Sequence, residues 1–405
     1  MSEWETVPLQ DVLDFQEGPG IMAVDFHPEG VPLLRLAGLK RNASLLAGCN
    51  YLDPEKVTKR WDHFRLRKGD VLLSTSASLG EVATVDDSAV GAVAYTGIIR
   101  FRPKNSAVDA DFIQYMLLAP SFKRQIEAMG VGSVMKHFGP THLRQMTVDV
   151  PRLRDQHAIA EVLGVLDEKI AVNERIAAKA DELSHALFAS EFGVTAARAS
   201  GSDWTPGYLS DLCSTQYGYT ASSTPEPAGP RFLRVKDINK RNWITWDDVP
   251  HCEISERDLE RYRLSVGDVL VARMADPGKS AIVEEPADSV FASYLVRLRT
   301  ASLAHSYFVW GFLKSRAYAD YAESVRGGSV QANMNAKVIV GAQLSIPPVA
   351  LMERYLRHIT PVRSRLTLAL KESRTLTALR ETLLPPLMSG RLRVKDAEQM
   401  VEDHV

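Results

Sequence analysis

Several short motifs in this sequence contain residue types that enzymes use for catalysis, and each lacks an essential part. Gly278-Lys279-Ser280 has the form of the end of a phosphate-binding loop. That loop needs a glycine five residues before Gly278, and Arg273 stands there. Asp167-Glu168-Lys169 resembles the acidic end of a nuclease motif, but it lies in a predicted long helix and has no partner acid on a preceding strand.

The cysteines and histidines offer no catalytic or metal-binding spacing either. Cys49, Cys213 and Cys252 are odd in number and widely spaced, which excludes a C-x-x-C zinc site and a disulfide framework. The ten histidines form no H-E-x-x-H pair, and neither G-x-S-x-G nor a dinucleotide or S-adenosylmethionine glycine fingerprint occurs. The sequence therefore predicts that this chain has no catalytic site, no metal site and no cofactor.

Positive charge is concentrated in two stretches, although the chain as a whole has a net charge of −2. Residues 35–68 contain nine Lys and Arg against three acids, and residues 231–241 contain five against Asp237. The overall charge argues against a nonspecific coat for DNA, which would be strongly basic. Such clusters are as often solvated surface as binding sites, so they indicate nucleic-acid contact only together with other features.

The first half of the sequence can be aligned with the second. LRKGDVLLSTSASLGEVATV (66–85) matches LSVGDVLVARMADPGKSAIV (264–283), and GVPLLRLAGLKRN (30–42) matches GPRFLRVKDINKRN (229–242). Two further segments, beginning at residues 112 and 132, match those beginning at 308 and 328. The four matches are collinear, with offsets between 196 and 199 residues. We infer a duplicated unit of about 195 to 200 residues.

Each unit has the pattern of a small mixed domain followed by a long helix. β-rich runs bounded by Gly, Pro, Asn and Asp predict a sheet, and residues 110–129 and 305–325 each predict one helix. Each domain ends at proline, Pro151 or the pair Pro347 and Pro348. The helix predicted over 155–192 would be about 57 Å long, too long to lie within one small domain.

Apolar residues recur in both long helices at alternating spacings of three and four, which is typical of a coiled coil. The predicted fold class is therefore mixed α/β (α+β), with two tandem domains and two long helices that pair as an antiparallel coiled coil. The alternative is that each helix packs only on its own domain. The residues assigned to helix pairing are Ile159, Leu163, Leu166, Ile170, Ile359, Val362, Leu366 and Leu376.

The predicted boundaries place the first domain at 1–151, the central helix at 152–195, the second domain at 196–348, the C-terminal helix at 349–392 and an acidic tail at 393–405. The N-terminus has no signal-peptide pattern, and no run of about 18 apolar residues could span a bilayer. We expect a cytoplasmic protein without membrane contact.

These features resemble the specificity subunit of type I restriction-modification systems. The helix start DQHAIAEVLGVLDEKIAVNERI (155–176) and the ending LRETLLPPLMSGRLRV (379–394) are both typical of that family. The Gly-Ser motifs at 132 and 328 and the proline exits add to the resemblance, which covers nearly the whole chain. The second helix departs from the family pattern, because it lacks the LDEKI motif and contains Pro361.

The resemblance implies that each domain recognises one half of a bipartite site in double-stranded DNA, while the paired helices set the spacer between the halves. It implies two methyltransferase subunits as partners, which restriction subunits can join. S-adenosylmethionine, ATP and Mg²⁺ would belong to those partners, and this chain would be non-catalytic. The alternatives are a coiled-coil adaptor that does not bind DNA and a self-contained DNA-modifying enzyme.

DNA recognition requires Lys or Arg for phosphates and polar side chains for base edges. Loops at matching places in the two repeats contain such residues. A residue of this kind contacts a base about as often as it serves only in a turn or on the solvated surface. The predicted DNA-binding residues are Lys40, Arg41, Asn42, Ser74, Ser76, Ser78, Lys136, His137, Lys236, Arg241, Asn242, Arg273, Lys279, Gln331, Asn333 and Asn335.

Overall fold

The computed structural model describes residues 4–40, 43–77, 79–129, 138–193, 203–285, 287–326 and 333–403. The chain forms two compact units, one of Met1–Glu174 with Glu372–Val405 and one of Arg175–Lys371. Within the described ranges, no helix has both the length and the hydrophobicity needed to cross a membrane.

Among the described residues up to Phe192, the chain forms ten strands and six α-helices. The strands are β1 (Glu5–Pro8), β2 (Leu13–Glu17), β3 (Phe26–His27), β4 (Val31–Leu34), β5 (Asn50–Leu52), β6 (Val71–Ser74), β7 (Val82–Thr84), β8 (Val93–Ala94), β9 (Ile98–Pro103) and β10 (Thr147–Val150). The helices are α1 (Leu9–Val12), α2 (Pro54–Arg60), α3 (Ile113–Leu118), α4 (Pro120–Met129), α5 (Pro140–Leu143) and the long α6 (Leu153–Phe192), whose second half lies in the second unit.

The second unit repeats this order. Its strands are β11 (Thr205–Tyr208), β12 (Cys213–Tyr217), β13 (Arg231–Leu233), β14 (Val269–Ala272), β15 (Ser280–Ile282), β16 (Ser289–Phe291), β17 (Leu295–Thr300) and β18 (Gln343–Ile346). The helices that follow residue 203 are α7 (Val235–Ile238), α8 (Glu256–Tyr262), α9 (Leu303–Leu313), α10 (Arg316–Arg326), α11 (Ala336–Ile339), the long α12 (Val349–Leu387) and α13 (Val394–Glu402). The part of α12 from Glu372 onward and all of α13 belong to the first unit.

The two units have matching sheets, as the sequence repeat predicts. A four-stranded antiparallel sheet has the order β2-β9-β6-β7 in the first unit and β12-β17-β14-β15 in the second. A parallel pair accompanies it, β4 with β8 in one unit and β13 with β16 in the other. The pairs β1–β10 and β11–β18 bring the first strand of each domain beside its last. The mixed fold class is confirmed.

The helix predicted in each domain is in fact two helices. In the first unit α3 ends at Leu118 and α4 begins at Pro120. Proline fixes its own backbone and disfavours helical geometry in the residue before it, and Ala119 is extended here (ψ 141°). In the second unit the break falls between Leu313 and Arg316.

The long helices pair in antiparallel orientation within each unit, as predicted. In the first unit, Ile159, Leu163, Leu166 and Ile170 of α6 belong to one buried cluster with Leu376 of α12. In the second unit, Leu366 is buried with Ala177 and Ala180, and Val362 packs against them. Ile359 is fully buried in the main core of that unit.

The C-terminal segment differs from the predicted acidic tail. Residues Val394–Glu402 form the amphipathic helix α13, whose Ala397 and Val401 are buried in the core of the first unit. The acids that suggested a tail include Glu398 and Glu402, which lie on its exposed face. Acids on the face opposite an apolar one indicate a packed surface helix rather than a solvated tail.

The buried contact between the long helices α6 and α12, which we call the helix seam, yields a stability prediction. Leu166 is fully buried between α6 and its neighbours, so Leu166→Ala should lower the free energy of unfolding by about 2–5 kcal/mol. The adjacent Val165 is 41% exposed, and Val165→Ala should change stability by less than about 0.5 kcal/mol. Urea unfolding of the full chain measures both. Equal effects of the two substitutions would contradict the assignment of Leu166 to the seam.

Candidate nucleic-acid interface

Three loops of the first unit meet at the end of β6. The backbone N–H of Thr75 donates to the carbonyl of Gly97 at 2.8 Å, and the Thr75 carbonyl accepts from the N–H of Phe138 at 3.3 Å. The turn after β6, the turn before β9 and the segment before α5 are therefore joined through one residue. We call this arrangement the loop junction.

The second unit has the same loop junction. The N–H of Arg273 donates to the carbonyl of Tyr294 at 3.0 Å, and the Arg273 carbonyl accepts from the N–H of Met334 at 2.9 Å. Thr75 and Arg273 are thus equivalent positions with different side chains. The conserved backbone with a changed side chain is the arrangement expected when one frame serves two different recognition tasks.

The turn that follows each junction also repeats in its backbone geometry. Ala77 and Ala275 both have positive φ, 58° and 64°, a conformation rare for residues with a Cβ. The N–H of Gly80 donates to Ser74 and that of Gly278 donates to Ala272, each at 3.0 Å. Both alanines are exposed at the tip of their turn.

A further loop in each unit lies beside the junction, and its arginine has a different environment in the two units. The N–H of Tyr95 bonds to the carbonyl of Leu34 at 3.1 Å, which places Arg35 next to the Tyr95 turn. The Arg35 guanidinium lies 3.9 Å from the centre of the Tyr95 ring. Its counterpart Arg234 instead forms an ion pair with Asp237 at 2.9 Å.

Most described members of the predicted DNA-binding set lie in or near these loops. Lys40, Lys236, Lys279, Asn333 and Asn335 are exposed, and Ser76, Arg241 and Arg273 are half-buried. Arg241 lies over Trp243 at 5.7 Å and Arg273 over Tyr217 at 4.9 Å. Asn335 also caps α11 by accepting from the N–H of Val338. The predicted residues that lie outside the described parts of the chain are Arg41, Asn42, Ser78, Lys136, His137 and Gln331.

Two predicted DNA-binding residues have structural roles instead. Ser74 is 1% exposed at the end of β6, and its hydroxyl oxygen accepts from the N–H of Glu81 at 2.9 Å. The side chain of Asn242 donates to Asp181 at 2.7 Å and accepts from Lys314 at 2.9 Å. Both polar groups are used inside the protein, so neither presents a free edge to a base.

The positive charge of residues 35–68 is smaller at the surface than the sequence count predicts. Four of its basic side chains form ion pairs with acids from inside and outside the segment. These pairs are Lys56–Asp25, Lys59–Glu55, Arg65–Asp62 and Lys68–Asp87.

A buried polar network in the second unit explains why Asn242 is not available. Arg363 on α12 is 2% exposed and forms ion pairs with Asp181 on α6 at 2.9 Å and with Glu284 at 2.6 Å. Its guanidinium lies 4.7 Å from the Trp310 ring. Asp181 also accepts a hydrogen bond from the Asn242 side chain, and this bond fixes the loop after α7 to the helices of its own unit.

The charges in this network stabilise one another. Burial alone would raise the pKa of Asp181, but hydrogen bonds from His185 and Asn242 and the charge of Arg363 hold that pKa below its ordinary value. Burial lowers the pKa of Lys314 to about 8, against the partly compensating attraction of Asp181.

Lys314 yields a pH prediction. Its folded pKa lies below the ordinary 10.5, so the cost of burying its charge is fully present below pH 8 and is relieved as pH rises toward 10.5. The free energy of unfolding should therefore rise over this window, relative to Lys314→Met, by less than about 3 kcal/mol. Urea titrations of both proteins at several pH values measure the difference. A difference that is constant with pH would contradict the shift.

Sequence inspection missed three side chains of the candidate interface. The rings of Tyr95 and Tyr217 pack against the guanidinium groups of Arg35 and Arg273. Each tyrosine is distant in sequence from its arginine, so no local pattern indicates either contact. Arg35 aligns with Arg234 in the sequence repeat. Gly38 stands where the second repeat has Asp237, and this difference could have shown from the sequence that Arg35 lacks the acidic partner of Arg234.

Comparisons with known proteins agree on one family. Residues 1–182 match the model of the type I restriction modification DNA specificity domain. The chain is similar to the MjaIX specificity subunit of a type I restriction enzyme from Methanocaldococcus jannaschii, with 21% identity over 363 residues, covering 84% of this chain and 82% of that protein. The MjaVIII specificity subunit of the same organism is 24% identical over 180 residues, which span 43% of this chain and 41% of that relative.

Among solved structures, the S subunit of a type I restriction-modification system from M. genitalium has a TM-score of 0.57 with 16% identity, covering 95% of this chain and 96% of that chain. At this identity the likeness shows the fold, which agrees with two similar units and two long helices. The resemblance inferred from the sequence is confirmed.

Proposed function

We propose that this chain, which belongs to the family of type I restriction-modification specificity subunits, binds double-stranded DNA and reads a bipartite site, one half with each unit. The observation that carries this proposal is the loop junction, built identically around Thr75 and Arg273 but with different side chains. A duplicated frame with altered side chains fits the recognition of two different half-sites, which an adaptor without DNA contact would not require.

We further propose that the chain has no catalytic site and acts through partners. Two methyltransferase subunits would supply S-adenosylmethionine and transfer the methyl group, and restriction subunits that use ATP and Mg²⁺ can join them. The long helices set the spacer between the half-sites and offer a surface to these partners. A protein that acts on DNA in this way would work in the cytoplasm.

A base-resolution methylation map tests the proposal. DNA from cells that express this chain with its neighbouring methyltransferase gene is compared with DNA from cells lacking the chain. We expect a split adenine-methylated motif that disappears without the chain. If the complex purifies intact but no chain-dependent motif exists, the adaptor function takes its place. Methyl transfer by the chain alone would instead indicate a self-contained enzyme.

Exposed lysines of the loops yield a prediction for binding. Lys40, Lys236 and Lys279 are exposed, the first two in the matching segments after β4 and β13 and the third in the turn after β14, so we expect them to contact phosphates. Alanine at each one should weaken binding to all duplexes alike and reduce the slope of log K against log salt by about 0.9. Fluorescence anisotropy with labelled duplex DNA from 50 to 200 mM salt measures this. Lys395 on α13, distant from these loops in the chain, provides the control, and an equal effect there would contradict the assignment.

A further inference from the structure

We propose that Arg35 and Arg273 each read a guanine, Arg35 in the half-site of the first unit and Arg273 in that of the second. The inference rests on the proposed function and adds to it which residues determine specificity. The two units use different loops of the same frame for this task.

The Arg35 side chain is held in place by an aromatic ring and not by an acidic partner. Its guanidinium lies 3.9 Å from the centre of the Tyr95 ring. Among the described residues no carboxylate lies within ion-pair distance of it, and its buried Nη1 has no hydrogen-bond partner. Because Nη1 is itself closed to solvent, a ligand would have to approach the other edge of the guanidinium, formed by Nε and Nη2.

The equivalent arginine of the second unit is neutralised. Arg234 donates through Nε and Nη2 to the two oxygens of Asp237, both at 2.9 Å. Gly38 occupies the corresponding place after Arg35, so the first unit has no acid to form this pair. Arg234 therefore has a structural role, and the same backbone position carries an available charge only in the first unit.

The second unit has its available arginine on the loop junction instead. Arg273 stands where the first unit has Thr75, whose side chain is fully buried. The Arg273 guanidinium lies 4.9 Å from the centre of the Tyr217 ring, and its buried Nε has no partner. Among the described residues it too has no carboxylate within ion-pair distance.

This geometry favours a base over a phosphate as the ligand. An aromatic ring beneath the guanidinium fixes its plane and leaves the donors at its edge to form two parallel hydrogen bonds. Guanine presents two acceptors, O6 and N7, at the matching spacing in the major groove, and arginine is their commonest partner. A phosphate needs only a charge, which the exposed lysines of the same loops supply.

Selection from a library of duplex DNA with a randomised central region, using the full chain, tests the proposal. The wild type should select a two-part motif with a guanine in each half. Arg35→Ala should lose the guanine of one half and Arg273→Ala that of the other, each with roughly 5- to 150-fold weaker binding to the wild-type duplex. Arg35→Lys, which retains the charge without the planar fork, should select the guanine more weakly than wild type.

Arg234→Ala is the matched control, because it removes an arginine from the same position in the other unit. It should lower thermal stability through the loss of the Asp237 pair and leave both halves of the motif unchanged. Replacing the selected guanine with 7-deazaguanine, which lacks N7, should weaken binding by wild type and have little further effect on Arg35→Ala.

The outcomes separate the inference from the proposed function. If the wild type selects no motif, the proposed function fails and the inference with it. If the wild type selects a motif that Arg35→Ala and Arg273→Ala leave intact, the inference alone fails. Weaker binding with an unchanged motif and a smaller salt slope would assign these arginines to phosphates, which also overturns it.

Discussion

Replacing Arg363 with alanine should destabilise the second unit more than any other single loss of charge described above. Arg363 is 2% exposed and balances two carboxylates, those of Asp181 and Glu284. Removing it takes the ion-pair partner from both carboxylates, of which Asp181 is buried and keeps the weaker attraction of Lys314. Breaking a buried pair in this way costs about 3–5 kcal/mol. Urea unfolding of the full chain at pH 7 measures the change in free energy.

Arg354 supplies the control on the same helix. It pairs with Glu191 at 2.7 Å but is 53% exposed, so Arg354→Ala should cost less than about 1 kcal/mol. A second variant that combines Arg363→Met with Asp181→Asn and Glu284→Gln removes all three charges together. It should recover much of the stability lost in Arg363→Ala. If the triple variant is as unstable as the single one, repulsion between the carboxylates is not the cause.

The second large effect is expected from Gly18→Ala in the first unit. A Cβ at this position would lie 2.0 Å from the carbonyl oxygen of Ala94 and 2.6 Å from that of Tyr95. Both are backbone atoms that cannot rotate away, so the end of β2 must separate from the Tyr95 turn. We expect the free energy of unfolding to fall by about 3 kcal/mol or more, and recognition of the half-site read by the first unit to weaken.

Gly20 is a control two residues away, because a Cβ there meets no atom within 4 Å. Gly20→Ala should unfold at the same urea concentration as wild type and bind DNA equally well. The library selection described above shows whether Gly18→Ala alters one half of the motif only. Unchanged stability in Gly18→Ala would mean that the two backbone segments move apart easily, and would contradict the close approach seen here.

The duplication and the long helices were predictable because both depend on patterns that are regular in sequence. The collinear matches placed Gly69 opposite Gly267, and both have positive φ at the same turn. The heptad spacing of Ile159, Leu163 and Leu166 directly encodes the buried face of α6. Such features need only local spacing to be recognised.

The details of the candidate interface were less predictable because they depend on contacts between distant segments. Ser74 lies in a polar run that suggests an exposed loop, yet the strand pairing of β6 turns it inward. Asn242 lies in a basic loop, and only the fold brings it to Asp181, 61 residues away in sequence. Alternating strand residues and long-range polar pairs cannot be assigned without the register that folding establishes.

The division of the chain into units has a consequence for biosynthesis. The first unit requires residues 372–405, because Leu376, Leu383, Leu387 and Ala397 are part of its core, whereas the second unit is the continuous segment 175–371. On a ribosome, all of the second unit emerges before the last part of the first. The N-terminal half of the protein, although translated first, is therefore the half whose core is completed last.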